Sequence, residues 1–179
     1  MIEEMSGMEG FHMTEVDGGS VTTDLGYSIK VNGKSTLRRK WLVINDSSCP
    51  MQLCEAGVNI SFGNQQYYFV QVGGLSSSEA ISAFEIRYAL YDVFGRHLKT
   101  LSTLSVVDMP AGHTGGLSES RWRAWENEVS ALHTVIAFVA HVRGQSGRLW
   151  RFREKQISDQ LTRIDLLVSS GALDPTKDK

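Results

Sequence analysis

Apolar and polar side chains alternate along residues 80–95. Phe84, Ile86, Tyr88 and Leu90 fall on one side, and Glu85, Arg87 and Tyr91 on the other, with the small Ala89 between them. A strand sends successive side chains to opposite faces, so a period of two predicts a half-buried strand. Asp92 to Gly95 close it with turn residues. The same grammar recurs on either side. Val21 to Val31 is weakly strand-like and ends at the turn signal Asn32-Gly33. Leu37 to Asn45 is a strand whose Trp41-Leu42-Val43-Ile44 is apolar on both sides, which predicts a place inside a sheet. Val58, Ile60 and Phe62 alternate next. Gly63-Asn64 turns the chain into a strand over Tyr67 to Val72, and Gly73-Gly74 with Ser76-Ser77-Ser78 reads as a loop. Leu98 to Met109 is one further strand or two short ones, ending at Pro110-Ala111-Gly112. Short strands separated by turns at near-regular spacing indicate an all-β sandwich or barrel.

The period then changes. Trp122, Trp125, Val129 and Leu132 recur at helical spacing, which predicts a short helix within Ser118 to Leu132, with Ser118 or Ser120 as candidate cap. Thr134 to Arg143 is apolar on both faces and reads as a central strand, followed by a hairpin loop at Gly144 to Gly147 and a return strand over Arg148 to Arg153. A helix over Glu154 to Ser169 carries the stripe Ile157, Leu161, Ile164 and Val168, with Gly171 as a plausible C-cap and Pro175 beyond. The chain thus divides into an arm over 1–19, expected to be disordered, a sandwich over 20–153, a helix over 154–170 and a tail over 171–179, also expected to be disordered.

Composition narrows the partners. A formal net charge of −2 over 179 residues argues against a surface built throughout for nucleic acid or acidic membranes. The longest apolar run, Val135 to Val142, falls well short of the roughly 20 residues a membrane helix needs, so no membrane span is expected. Cys49 and Cys54 are too sparse for a disulfide framework; two independent thiols are favoured over a local bridge, and a zinc site would need further ligands. Met1 to Gly19 has no basic start and no apolar core, so no secretory signal is visible, and the protein is expected to be cytoplasmic unless a leader was removed.

Tyr88-Ala89-Leu90-Tyr91-Asp92 resembles the signature of the FxLYD domain family, with Tyr in place of the opening Phe. Leu42-Val43-Ile44-Asn45-Asp46-Ser47-Ser48 is similar to that family's early step from strand to Asn and small polar residues. Gly95 resembles its turn, and Met109-Pro110-Ala111-Gly112 its later Pro-x-Gly step. The resemblance spans roughly 37–143. It implies an all-β, immunoglobulin-like antiparallel β-sandwich, here with a short inserted helix and a C-terminal helix. It also implies an exported bacterial protein without assigned catalytic residues. The tryptophan-bearing insertion and the terminal helix depart from the family pattern.

Candidate chemistry is thin. His12, His97, His113, His133 and His141 form no metal-ligand spacing, so no metal is expected. No Gly-x-Ser-x-Gly occurs, and Gly112-His113-Thr114-Gly115-Gly116, read as a flexible link, lacks the Lys-Ser/Thr ending of a phosphate loop. Glu126 and Glu128, two apart, diverge on a helix. Arg143, Arg148, Arg151, Arg153 and Lys155 are interleaved with Trp150 and Phe152. On a strand Arg151 and Arg153 share one face, Trp150 and Phe152 the other, which suits either a strand with an aromatic core face or a polyanion site. Trp122, Trp125 and the stripe Ile157, Leu161, Ile164 and Val168 either cap the sandwich or meet a partner. The sequence therefore favours a non-enzymatic protein-interaction or assembly module, without a cofactor. It would bind a protein or self-associate through those residues or an exposed sheet edge. Nucleic-acid or polyanion binding at Arg143, Arg148, Trp150, Arg151, Arg153 and Lys155 is the alternative.

Overall fold

The structure, a computed structural model, describes residues 11–14, 20–23, 27–31 and 39–177, with side chains from residue 39 onward. Its strands are β1 (Phe11–Thr14), β2 (Ser20–Thr23), β3 (Tyr27–Val31), β4 (Lys40–Ile44), β5 (Met51–Gly63), β6 (Gln66–Ser77), β7 (Ile81–Asp92), β8 (His97–Met109), β9 (Thr114–Gly116), β10 (Arg121–Ala124), β11 (Leu132–Gly144) and β12 (Leu149–Arg151). Helix α1 (Glu126–Ala131) precedes β11, and α2 (Glu154–Arg163) follows β12. The fold is an all-β sandwich. One sheet runs β1-β2-β3-β4-β11-β7-β8, with β12 beside β11; the other runs β10-β6-β5, with β9 beside β6. Neighbours are antiparallel except β4 and β11, which run parallel.

The larger sheet is buried on both faces over much of its width. Phe84, Ile86, Tyr88 and Leu90 of β7 join the core between the sheets, with Trp41, Met51, Phe69 and Val135. The opposite face of the same strands, through Ala89, Tyr91, Leu42, Ile136 and Phe138, forms a second core under α2 and the tail. So β7 is not half-buried, because the C-terminal segment covers its second side. The stripe of α2 is used within the chain: Ile157 and Leu161 are buried in this second core, and Ile164 and Val168 pack against it. The helix ends at Arg163, short of the expected Ser169, where Asp165 takes a left-handed backbone at φ 60°. Nor is the tail a free end over its described part. Ala172 and Leu173 are buried, because the sheet offers these apolar residues a surface. Gly171 lies in that tail rather than capping the helix.

Other expectations shift as well. Residues 1–19 lie mostly outside the described residues; within them, β1 pairs with β2. The Asn32-Gly33 turn is outside too. Gly73-Gly74 and Ser76-Ser77 continue β6 rather than looping, since β6 stays in register with β5 past a bulge at Cys54. Gly73, at φ 141°, sits where a Cβ would strike the Glu55 carbonyl. Gly112 to Gly116 is no loose link, because Thr114–Gly116 pairs with β6. The predicted tryptophan helix is only half helix. Arg121–Ala124 pairs with β6 as β10, and α1 begins after Trp125. Neither Ser118 nor Ser120 caps it: Glu128 reaches back to the Trp125 N–H at 2.8 Å. Cys49 is buried, Cys54 is exposed, and both are free.

Candidate functional site

β8 pairs with β7 on one side only, so its other edge faces outward. Backbone groups of successive strand residues point to alternate edges. Thr100 faces the outer edge, because its N–H donates to Thr176 Oγ1 (2.9 Å) and its carbonyl accepts the Thr176 N–H (2.8 Å). Ser102 does too, its carbonyl accepting Trp122 Nε1–H at 3.2 Å. By the same alternation Leu104 and Val106 face that edge, and neither has a partner there among the described residues. A register shift after Val106 ends the regular ladder. Their side chains share the outer face with Glu85 and Ala83, their partners on β7. They are the most exposed large apolar residues described, Leu104 at 73 % and Val106 at 85 %. No charged residue lies between Thr100 and Val107.

Trp122 closes the flank of this edge. It points inward from β10, packs on the main core and meets Tyr88 at 5.7 Å between ring centroids. Beside it, Ser120 Oγ and Thr103 Oγ1 lie 2.8 Å apart. Tyr88 O–H donates to Gln71 Oε1 (2.8 Å), and Gln71 Nε2 donates to the Ser118 carbonyl (2.6 Å), a buried polar link between the sheets. Trp125, by contrast, is exposed, with the Arg123 guanidinium 4.8 Å from its ring centre. The expected tryptophan surface is thus split, since Trp122 belongs to the core and Trp125 alone is open.

Next to the open edge lies an ionic cluster. Glu85 accepts from Arg87 Nε (2.7 Å) and Ser102 Oγ (2.8 Å) and meets His141 Nδ1 at 2.6 Å. Arg87 Nη1 donates to the Leu173 carbonyl (2.9 Å) and to Asp174 (3.1 Å), and its guanidinium lies 5.4 Å from the Phe152 ring centre. Burial pushes the Glu85 carboxyl up, but hydrogen bonds from Arg87, His141 and Ser102, together with the Arg87 charge, outweigh it and hold the group below its ordinary range. Ser102 donates to the carboxylate and not to the imidazole. The cluster's evident work is to fasten the tail to β7.

The basic residues sit on different elements. Arg143 and Arg151 are exposed on the outer face, Arg148 lies 3.5 Å from Glu79, and Arg153 and Lys155 stand at the start of α2. Trp150 packs toward the main core and Phe152 toward the second, because β12 ends at Arg151 and strand alternation stops there. The two rings therefore offer no common stacking platform. A cavity of about 280 Å³ opens between them, bordered by Asp46, Arg153 and Gln160. Another, about 290 Å³, lies by Lys40, Phe94 and His133. Burial lowers the pKa of both His97 and His133 and raises the Cys49 thiol to about 12. Among the described residues no three His, Cys, Asp or Glu converge as a metal site, and no helix is long and apolar enough to cross a membrane.

The sequence reading missed Leu104, Val106 and the Glu85–His141 pair. The available signal was phase. Leu104 and Val106 keep step with Ser102, while the core residues Leu101 and Met109 fall on the other parity.

No family model and no curated protein matches the chain. One solved structure, a hypothetical protein from Peptoclostridium difficile 630, is similar at 11 % identity and a TM-score of 0.45, over 72 % of this chain and 98 % of that one.

Proposed function

We propose that this chain is a non-enzymatic protein-interaction or assembly module that receives a partner strand along β8. The observation that carries this reading is the pair Leu104 and Val106, whose outward backbone groups lie beside the two most exposed large apolar side chains described. Proteins usually guard such an edge with lysine, proline or a covering segment. Here Thr176 and Trp122 occupy the edge only at Thr100 and Ser102. Strand addition takes its affinity from main-chain hydrogen bonds and its selectivity from alternate side chains, which is what an open edge flanked by apolar residues can provide. Trp125, exposed at the start of α1, is a second contact candidate. Relationship to the FxLYD family, and with it an immunoglobulin-like arrangement, is part of the proposal. It is supported by the way Leu90 fills the core and Asp92 Oδ1 accepts the N–H groups of Phe94 and Arg96 (both 2.9 Å) before Gly95 at φ 72°.

Selection of displayed random peptides on the full chain tests the reading. Enrichment of extended, alternating apolar sequences whose binding is lost in Val106→Pro is expected. Failure to retain any such peptide, or retention indifferent to Val106→Pro, removes it.

A further inference from the structure

We infer that the strand received by β8 is β8 of a second copy of this chain, paired antiparallel with Leu104 opposite Val106 of the partner subunit. The inference rests on the strand-receiving reading above and names its occupant. A two-fold axis through Ser105 sets Leu104 against the partner subunit's Val106, and Val106 against the partner subunit's Leu104. All four residues turn their N–H and C=O groups toward the shared edge, so each opposed pair exchanges both hydrogen bonds.

Neighbouring registers fail. An axis through Leu104 sets Val106 against Ser102 of the partner subunit, whose carbonyl already accepts Trp122 Nε1–H. An axis through Val106 sets Leu104 against Asp108 of the partner subunit, beyond the register shift. The chosen register joins four apolar side chains into one outer-face patch bordered by Ala83. Symmetric pairing also brings like residues near one another, so a charge at the centre would face its own copy. The stretch between Thr100 and Val107 carries none. Self-pairing demands that neutrality at Ser105, the position that faces its own copy, whereas a foreign strand could complement a charge there.

The experiment is light scattering on the full chain carrying Cys54→Ser, across concentrations. The expected mass is twice that of one chain at tens of micromolar, falling to one chain in Val106→Pro. The Val106 N–H lies outside the ladder with β7, so a proline there spares the fold. Leu104→Lys gives the same loss by charge and covers the case where the proline disturbs folding. In the dimer Ser105 faces Ser105 of the partner subunit with Cβ atoms about 5 Å apart, so Ser105→Cys cross-links under mild oxidation. A wild type of single-chain mass throughout overturns the inference. So does a dimer that survives Leu104→Lys or gives no cross-link at position 105. If the chain is monomeric while displayed peptides still bind through Val106, only the second copy falls; if those peptides fail as well, the strand-receiving reading falls with it.

Discussion

Replacing Leu161 with alanine asks whether α2 belongs to this chain or waits for another. Leu161 is fully buried, in a pocket shared with Tyr91, Phe138 and Leu173. Buried Leu→Ala changes cost about 3–5 kcal/mol, the lost transfer energy plus a residual cavity. The site lies under a ten-residue helix bounded by a short tail, so the surroundings can settle, and the lower end, about 3 kcal/mol, is expected. For a chain of this size that corresponds to a fall in Tm of roughly 6–12 °C. Ile164, at the margin of the same core, is expected to cost only about 1 kcal/mol. Urea unfolding followed by circular dichroism, with a parallel thermal scan, measures both. A loss below about 1 kcal/mol for Leu161→Ala, with helix content unchanged, would refute the reasoning. It would mean that the stripe is not seated on the sheet, and would return it to the pool of partner surfaces.

Other outcomes follow from the same geometry. Trp125→Ala should leave stability within about 0.5 kcal/mol, while Trp122→Ala should cost roughly 2–3 kcal/mol in urea melts; equal costs would contradict the split between them. Tyr88→Phe leaves the buried Gln71 Oε1 without its donor, and about 1–3 kcal/mol should be lost; a neutral result would show that Gln71 finds another. The carboxyl of Glu85 is held below its ordinary range in the fold. Its contribution to stability is therefore present above the unfolded-state value near pH 4.5 and fades as pH falls through the lower folded-state value. Unfolding free energy measured from pH 6 to pH 3 should drop less steeply in Glu85→Gln than in wild type, and parallel slopes would rule Glu85 out as a source.

Much of the sandwich was legible because burial writes a period of two into long strands. Phe84 to Leu90 declared itself this way, while Trp41 to Ile44 and Val135 to Val142 were legible as short, nearly unbroken apolar runs, the mark of strands buried on both faces. The turn at Asp92–Gly95 was readable from its chemistry, since an Asp carboxylate and a left-handed glycine do the same work in any fold. The failures had a common cause. Trp122, Trp125, Val129 and Leu132 keep helical spacing by coincidence: Trp122 owes its place to pairing with Phe69, a residue distant in sequence, and only Val129 is buried from the helix itself. The Gly73-Gly74 step looked like a loop because no local rule announces a strand that glycine lets lie close against its neighbour. The β8 edge was invisible because openness depends on which strands fail to arrive, a tertiary matter. The Glu85–His141 contact was hidden for the same reason, since only the pairing of β7 with β11 sets the two side by side.

That pairing scheme also sets a schedule. The middle of the larger sheet is made where β4, near residue 40, lies parallel to β11, near residue 136. Nothing local can bring these two together, so loop-closure entropy must be met before the main core gains its centre, and slow acquisition is the expected signature. During synthesis the earlier strands must wait beyond the ribosome for residue 138 before β4, already beside β3, acquires its second neighbour. A chain cut short of β11 would lose the shared middle of both cores and leave the apolar faces of β4 and β7 uncovered.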